Sequence, residues 1–260
     1  MLRSRLRLSR IASVLLPLLL LGRVARSQTP EDVVRSFTDQ KLILRGLADQ
    51  NRIRVKKKDL ARVSGTCDLA VEVTQAAWNQ GKALFTLVEI GTPSLASRPR
   101  LCKRASTYGE GTLEISGFNA DETPDQLAAA IGVVLQTPEQ YMASMGASLN
   151  ITQDANSAQN SAGRPPEQIS PAITAPKIVL SVNPAYSKAA SRAKYQGEVV
   201  IAVVVGPDGR VHDSKIARKA RLGLEESAMN VLPLWRFEPA RKNDVPVAVQ
   251  LNLDVAFHLY

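Results

Sequence analysis

From Val245 to Leu259 apolar side chains recur at every second position. Val247, Val249, Leu251, Leu253, Val255 and Phe257 share one face, and Ala248, Gln250, Asn252, Asp254 and His258 oppose them. A period of two belongs to an extended chain with one face on a core and the other in water. The segment is expected to be one long strand, and a strand needs neighbours. Gly197–Val205 supplies one, a β-branched run that reads Gly-Glu-Val-Val-Ile-Ala-Val-Val-Val. Gly206-Pro207-Asp208-Gly209 follows as a turn, its Asp-Gly pair offering the positive φ that a hairpin requires. Arg210–Ala217 then reads as the return strand, with Val211 and Ile216 among its apolar positions. Leu224, Ala228, Val231 and Leu232 recur at helical spacing up to Pro233. The order is hairpin, helix, long strand, which makes a small antiparallel sheet with a helix packed on it, an α+β arrangement.

These residues, with others around them, resemble the C-terminal domain of the TonB family. Asn183-Pro184-Ala185-Tyr186 is similar to the family's opening segment, with Asn183 where Gln is frequent and Ser187 in place of a Pro. Tyr195-Gln196-Gly197 resembles the lead-in to the first strand, and Val205–Val211 the hairpin. Leu234-Trp235-Arg236-Phe237-Glu238-Pro239-Ala240 resembles the signature after the helix. Val245-Pro246-Val247 and Phe257-His258-Leu259 resemble the start and end of the final strand. Single turns of this kind are common, but their succession over residues 177–260 is specific. The resemblance implies a cell-envelope protein of energy-coupled transmembrane transport. It implies as partner an outer-membrane TonB-dependent receptor, whose short box segment adds as a strand beside the last strand. Backbone groups give the affinity in such β-augmentation and alternate side chains the selectivity. The contact would fall on Val247, Val249, Gln250, Leu251, Asn252, Leu253, Asp254, Val255 and Phe257, with Asn183 and Pro184 nearby. The Val247–Phe257 stripe itself reads as core, so pairing would use its backbone edge, and Trp235 and Phe237 read as core aromatics.

The rest of the chain narrows this. Arg3, Arg5, Arg7 and Arg10 precede an apolar run from Ile11 to Gly22, and small residues follow at Ala25 and Ser27. Residues 1–27 read as a secretory signal peptide cleaved before Gln28, or else as a short retained anchor; a spanning helix needs roughly 18 or more apolar residues. A cleaved chain would lie in the periplasm. A retained one would be anchored in the inner membrane, within reach of an inner-membrane proton-channel complex. The family's anchor typically carries a His, and residues 1–30 have none. Residues 1–27 hold six arginines and no acid, so their removal takes the formal net charge from +9 to +3. That excess is too small to point to nucleic acid.

Residues 28–150 read as a separate, β-rich α+β module. Strand-like runs at Lys41–Leu47, Ile53–Lys57, Leu69–Val73, Ala83–Ile90 and Thr112–Phe118 are punctuated by Gly81, Gly91-Thr92-Pro93 and Gly109-Glu110-Gly111. Two helix starts follow, Thr123-Pro124-Asp125-Gln126 and Thr137-Pro138-Glu139-Gln140, each with Thr as cap, Pro at the first helical position and Gln three after the cap. Cys67 and Cys102 lie in this module. In an exported chain they would form a disulfide closing a loop worth about 3–4 kcal/mol by the chain-entropy estimate, or else stand as two separate buried thiols. Two Cys and two His, widely spaced, make no metal ligand set, and no cofactor motif or phosphate-cradling Gly loop is present. His212 and His258 stand at strand positions without a nucleophile motif, so no enzyme is expected. Residues 151–176, rich in Ser, Ala, Asn, Gln and Pro, read as a flexible linker. The cluster Arg218, Lys219, Arg221 and the run Arg52, Arg54, Lys56, Lys57, Lys58 read as solvated faces. Two functions remain: a TonB-like component of envelope transport, or an exported, unanchored scaffold that uses the C-terminal domain only for pairing. A homodimer is open under either.

Overall fold

The computed structural model describes residues 29–46, 53–60, 68–97, 109–147 and 165–258. The segment 1–27 and both Cys67 and Cys102 lie outside them.

The chain begins with helix α1 (Pro30–Arg35), capped by Thr29, and strands β1 (Lys41–Leu44) and β2 (Arg54–Lys58). β3 (Leu69–Asn79), β4 (Lys82–Leu95) and β5 (Glu110–Ser116) follow. Helix α2 (Pro124–Val134), the short β6 (Leu135–Gln136) and helix α3 (Pro138–Ser144) complete this part. Both helices start where the Thr-Pro-x-Gln signals place them, and each closes a reciprocal capping box in which the Thr side chain takes the N3 amide and the Gln side chain takes the cap amide. Such a box satisfies two amides that the helix cannot.

After residue 164 come β7 (Glu167–Gln168), β8 (Ile173–Thr174), β9 (Lys177–Pro184) and helix α4 (Lys188–Arg192). β10 (Gly197–Val205) and β11 (Val211–Arg218) form the hairpin. Helix α5 (Leu224–Val231) runs into a 3-10 turn at Leu232–Leu234, where Pro233 ends it. β12 (Arg236–Glu238), β13 (Ala240–Lys242), β14 (Val245–Val247) and β15 (Val249–Phe257) close the chain. The single strand expected from Val245 to Leu259 is broken at Ala248: β14 turns back on β13, whereas β15 pairs with β10. Alternation survives the break, which is why periodicity does not reveal it.

The two parts share a sheet. Its order is β12-β9-β4-β3-β1-β6, with β5 beside β4 and β2 beside β5. The first half of β4 pairs with β5 and its last residues, Gly91–Leu95, with β9. Gly91 makes this possible: a Cβ there would lie 2.2 Å from the Asn183 carbonyl oxygen. Gly91-Thr92-Pro93, expected as punctuation, is therefore strand interior, where a missing side chain admits a neighbouring backbone. The cores are shared as well. Ala70 and Ile90 pack with Val199, Ile201, Leu224, Val231, Trp235 and Phe257, and Ile43, Tyr141 and Met142 pack with Leu180.

The expected flexible linker is also different where described. β7 pairs with β15 and β8 with β13, and Ile173 is buried against Ala240 and Val249. A strand of two residues needs only backbone groups and one apolar anchor, so Ser- and Pro-rich composition gives no warning of it.

Candidate functional site

β15 is set by its inner face. Leu253, Val255 and Phe257 enter the main C-terminal core, where the Phe257 ring meets Tyr186 edge-on at 5.5 Å. Val249 joins the smaller cluster with Ile173 and Ala240. Gln250, Asn252 and Asp254 are exposed on the opposite face. Along one edge β15 is paired with β10 throughout, from Gly197↔Phe257 to Val205↔Val249. Along the other edge its neighbour is β7, parallel, at Val249↔Glu167 and Gln250↔Gln168 only.

That parallel register fixes which residues face outward. The Glu167 amide donates to the Ala248 carbonyl at 2.9 Å, and the bridge between Gln250 and Gln168 engages the Gln250 backbone. Successive residues of a strand turn their N–H and C=O to opposite edges, so Asn252 and Asp254 aim their backbone groups the same way as Gln250. Beyond β7 this edge has no strand partner among the described residues.

The remaining residues expected at the contact lie elsewhere. Val247 belongs to β14, opposite Ala240. Asn183 and Pro184 are in β9, opposite Thr92 and Gly91; Pro184 is buried, and the Asn183 amide reaches the Thr92 carbonyl at 3.5 Å. The two are thus occupied by the first part of the same chain. The missed feature is β7. Its only sequence signal is Glu167-Gln168 placed after Pro165-Pro166, where the second proline favours an extended Pro165 but does not announce a strand.

The hairpin and the signature segment hold the site in place. Gly209 has φ 72° and its carbonyl accepts from the Phe237 amide at 2.9 Å. A Cβ at Gly209 would stand 2.1 Å from the Phe237 oxygen, so the turn glycine serves both the hairpin and its docking on β12. The Trp235 indole donates to the Val182 carbonyl at 3.2 Å, tying the signature to β9. Trp235 and Phe237 are both buried, as expected. Arg236 is buried too. Its Nε donates to Glu139 of α3 at 2.8 Å, and its Nη1 to the carbonyls of Pro233 and Trp235 at 2.8 and 2.7 Å. Arg210 of the hairpin reaches the same Glu139 oxygen at 2.6 Å. Burial works to raise the Glu139 carboxyl, but the Arg236 hydrogen bond and charge, with Arg210 behind them, hold it below its ordinary value.

One buried acid stands apart from these ion pairs. Glu89 on β4 is fully buried, neither carboxylate oxygen has a hydrogen-bond partner among the described residues, and burial pushes its pKa up to about 7. No group of His, Cys, Asp and Glu that could hold a metal occurs among the described residues, and no helix among them is long and apolar enough to cross a membrane.

Residues 182–259 match the family model of the Gram-negative bacterial TonB protein C-terminal. This part of the chain is a TonB C-terminal domain, under a third of the 260 residues. The family is a non-enzymatic one of the cell envelope and periplasm, it works in energy-coupled transport, and its members interact with outer-membrane receptors. No curated protein matches the chain.

Proposed function

We propose that this chain, through its TonB C-terminal domain, binds the box segment of an outer-membrane transporter as an added strand on the outer edge of β15, and so takes part in energy-coupled transport as a periplasmic protein. One observation carries the reading: the Asn252 and Asp254 backbone groups lie on an edge that has no strand partner beyond β7 among the described residues. Contact residues on this reading are Gln250, Asn252 and Asp254 through their backbones. Val249, Leu251, Leu253, Val255 and Phe257 hold the strand to the core. Asn183 and Pro184 support β9 and Val247 supports β14, so none of these three belongs to the contact. The chain carries no catalytic step.

The test is Asn252→Pro, which removes the N–H at the centre of the outer edge. Binding of synthetic receptor box peptides is measured by calorimetry, with circular dichroism checking the fold. Loss of binding with the fold intact is the expected result. Unchanged affinity would reject the site. N-terminal sequencing of the native protein tests a separate point: a start at Gln28 would place the chain free in the periplasm and sink direct coupling to an inner-membrane proton channel by this chain.

A further inference from the structure

We infer that β7, Glu167–Gln168, is an intramolecular strand that competes with the partner strand for the outer edge of β15. This rests on the strand-addition reading above and adds a regulatory element to the same site.

The outward-facing backbone groups of the last strand begin at Ala248 and Gln250. β7 takes them first. Glu167 donates its amide to the Ala248 carbonyl at 2.9 Å, and β7 runs parallel to β15 over Val249 and Gln250. Two further contacts hold it there. The Glu167 carboxylate meets Lys242 Nζ of β13 at 2.6 Å. A few residues on, β8 pairs with β13 at Ile173↔Lys242 and Thr174↔Arg241, and Ile173 is buried against Val249 itself. β8 is the anchor and β7 the exchangeable end. β7 contributes backbone bonds and one ion pair with little apolar burial: Gln168 is exposed, and Ile169 beside it is 46% exposed. An incoming strand that covers β15 from its start needs the same Gln250 and Ala248 groups, and two strands cannot use them at once. Tethering gives β7 a high effective concentration, so even a weak segment lowers the apparent affinity of the partner. Because β7 reaches only two residues of β15, Asn252 and Asp254 stay open for a partner to begin pairing before β7 leaves.

The test uses the full chain and nine-residue synthetic peptides carrying receptor box segments. Glu167→Pro removes both the N–H that Ala248 accepts and the carboxylate that Lys242 meets. Glu167→Ala keeps the N–H and removes only the ion pair. Peptide affinity is expected to rise about tenfold in the first and about twofold to threefold in the second, the scale of one backbone bond plus an exposed ion pair. Asn252→Pro should abolish binding in every background. Amide hydrogen exchange gives an independent readout: the Glu167 amide should be protected in the free chain and lose protection when peptide saturates it. Wild-type affinity in Glu167→Pro, with Asn252→Pro still abolishing binding, would overturn the competition and leave the strand-addition reading standing. Retained Glu167 protection in the saturated complex would do the same. Absence of peptide binding to wild type and variants alike would overturn both.

Discussion

Replacing Glu139 with Gln tests whether the two parts of the chain are one folding unit. Glu139 sits in the first turn of α3, and its partners Arg236 and Arg210 belong to the TonB C-terminal domain. In the variant the Arg236 guanidinium keeps its bonds to the Pro233 and Trp235 carbonyls but loses its only carboxylate among the described residues. Leaving a buried charge without its partner costs about 3–5 kcal/mol, and an exposed pair is worth under about 1 kcal/mol. The Arg236 side chain is 6% exposed and that of Glu139 32%. The interaction therefore falls between the limits, and about 2 kcal/mol is expected. Urea unfolding, followed by tryptophan fluorescence and by far-ultraviolet circular dichroism, measures it. Trp78 reports on β3 and Trp235 on the signature segment. The wild type should show one transition by both probes, and Glu139→Gln a lower midpoint, still in one transition. A double-mutant cycle with Arg236→Met isolates the pair. Two separate wild-type transitions, or a coupling energy under about 0.3 kcal/mol, would refute the reasoning. The pH dependence has a definite sign. Glu139 is held below its unfolded pKa, so its contribution is complete above about pH 5 and is lost as pH falls through the depressed folded value.

Glu89 should behave in the opposite sense. Its folded pKa of about 7 lies above the unfolded one, so the wild type loses stability as pH rises from about 4.5 to 7. Glu89→Gln should gain on it by up to about 3 kcal/mol at pH 8 and by little at pH 4; a pH-independent difference in urea midpoint would contradict this. Gly209→Ala should lose about 2–3 kcal/mol, since it places a Cβ at a positive φ and against the Phe237 oxygen; an unchanged melting temperature would exclude that contact. Gly91→Val should part β9 from β4, read as fast amide exchange across residues 180–183; retained protection would show that the sheet tolerates the side chain.

Legibility in the sequence followed the physics of each signal. A β-branched run located β10, the Asp-Gly turn its return strand β11, period-two alternation β15, and capping chemistry α2 and α3, because each signal is local. Trp235 and Phe237 were legible as core, although the burial of Arg236 between them and its partner Glu139 were not, since nothing local links positions 97 residues apart. Gly91 is the instructive failure. Read locally, Gly-Thr-Pro is a breaker; in the fold its missing Cβ is what lets β9 approach. Lys177–Pro184 carries an alternating Ile178, Leu180, Val182 pattern that could have been read as a strand. Its neighbour β4 could not have been foreseen without knowing that the two parts share a sheet. The outer edge of β15 was legible as a strand edge, and its partial occupation by Glu167-Gln168 was not, because backbone pairing leaves no mark on composition.

The shared sheet also fixes how far the TonB C-terminal domain can stand from the first part of the chain. The end of α3 and the start of β7 are held by strands and cores that the two parts have in common, so their separation is set by the pairing of β4 with β9 and not by the number of residues between them. Added length between two points held in this way enters only through closure entropy, where a doubling costs about 0.6 kcal/mol. Insertion of a Gly-Ser stretch between Ala147 and Pro165 should therefore leave the β4–β9 pairing in place and lower the melting temperature only slightly.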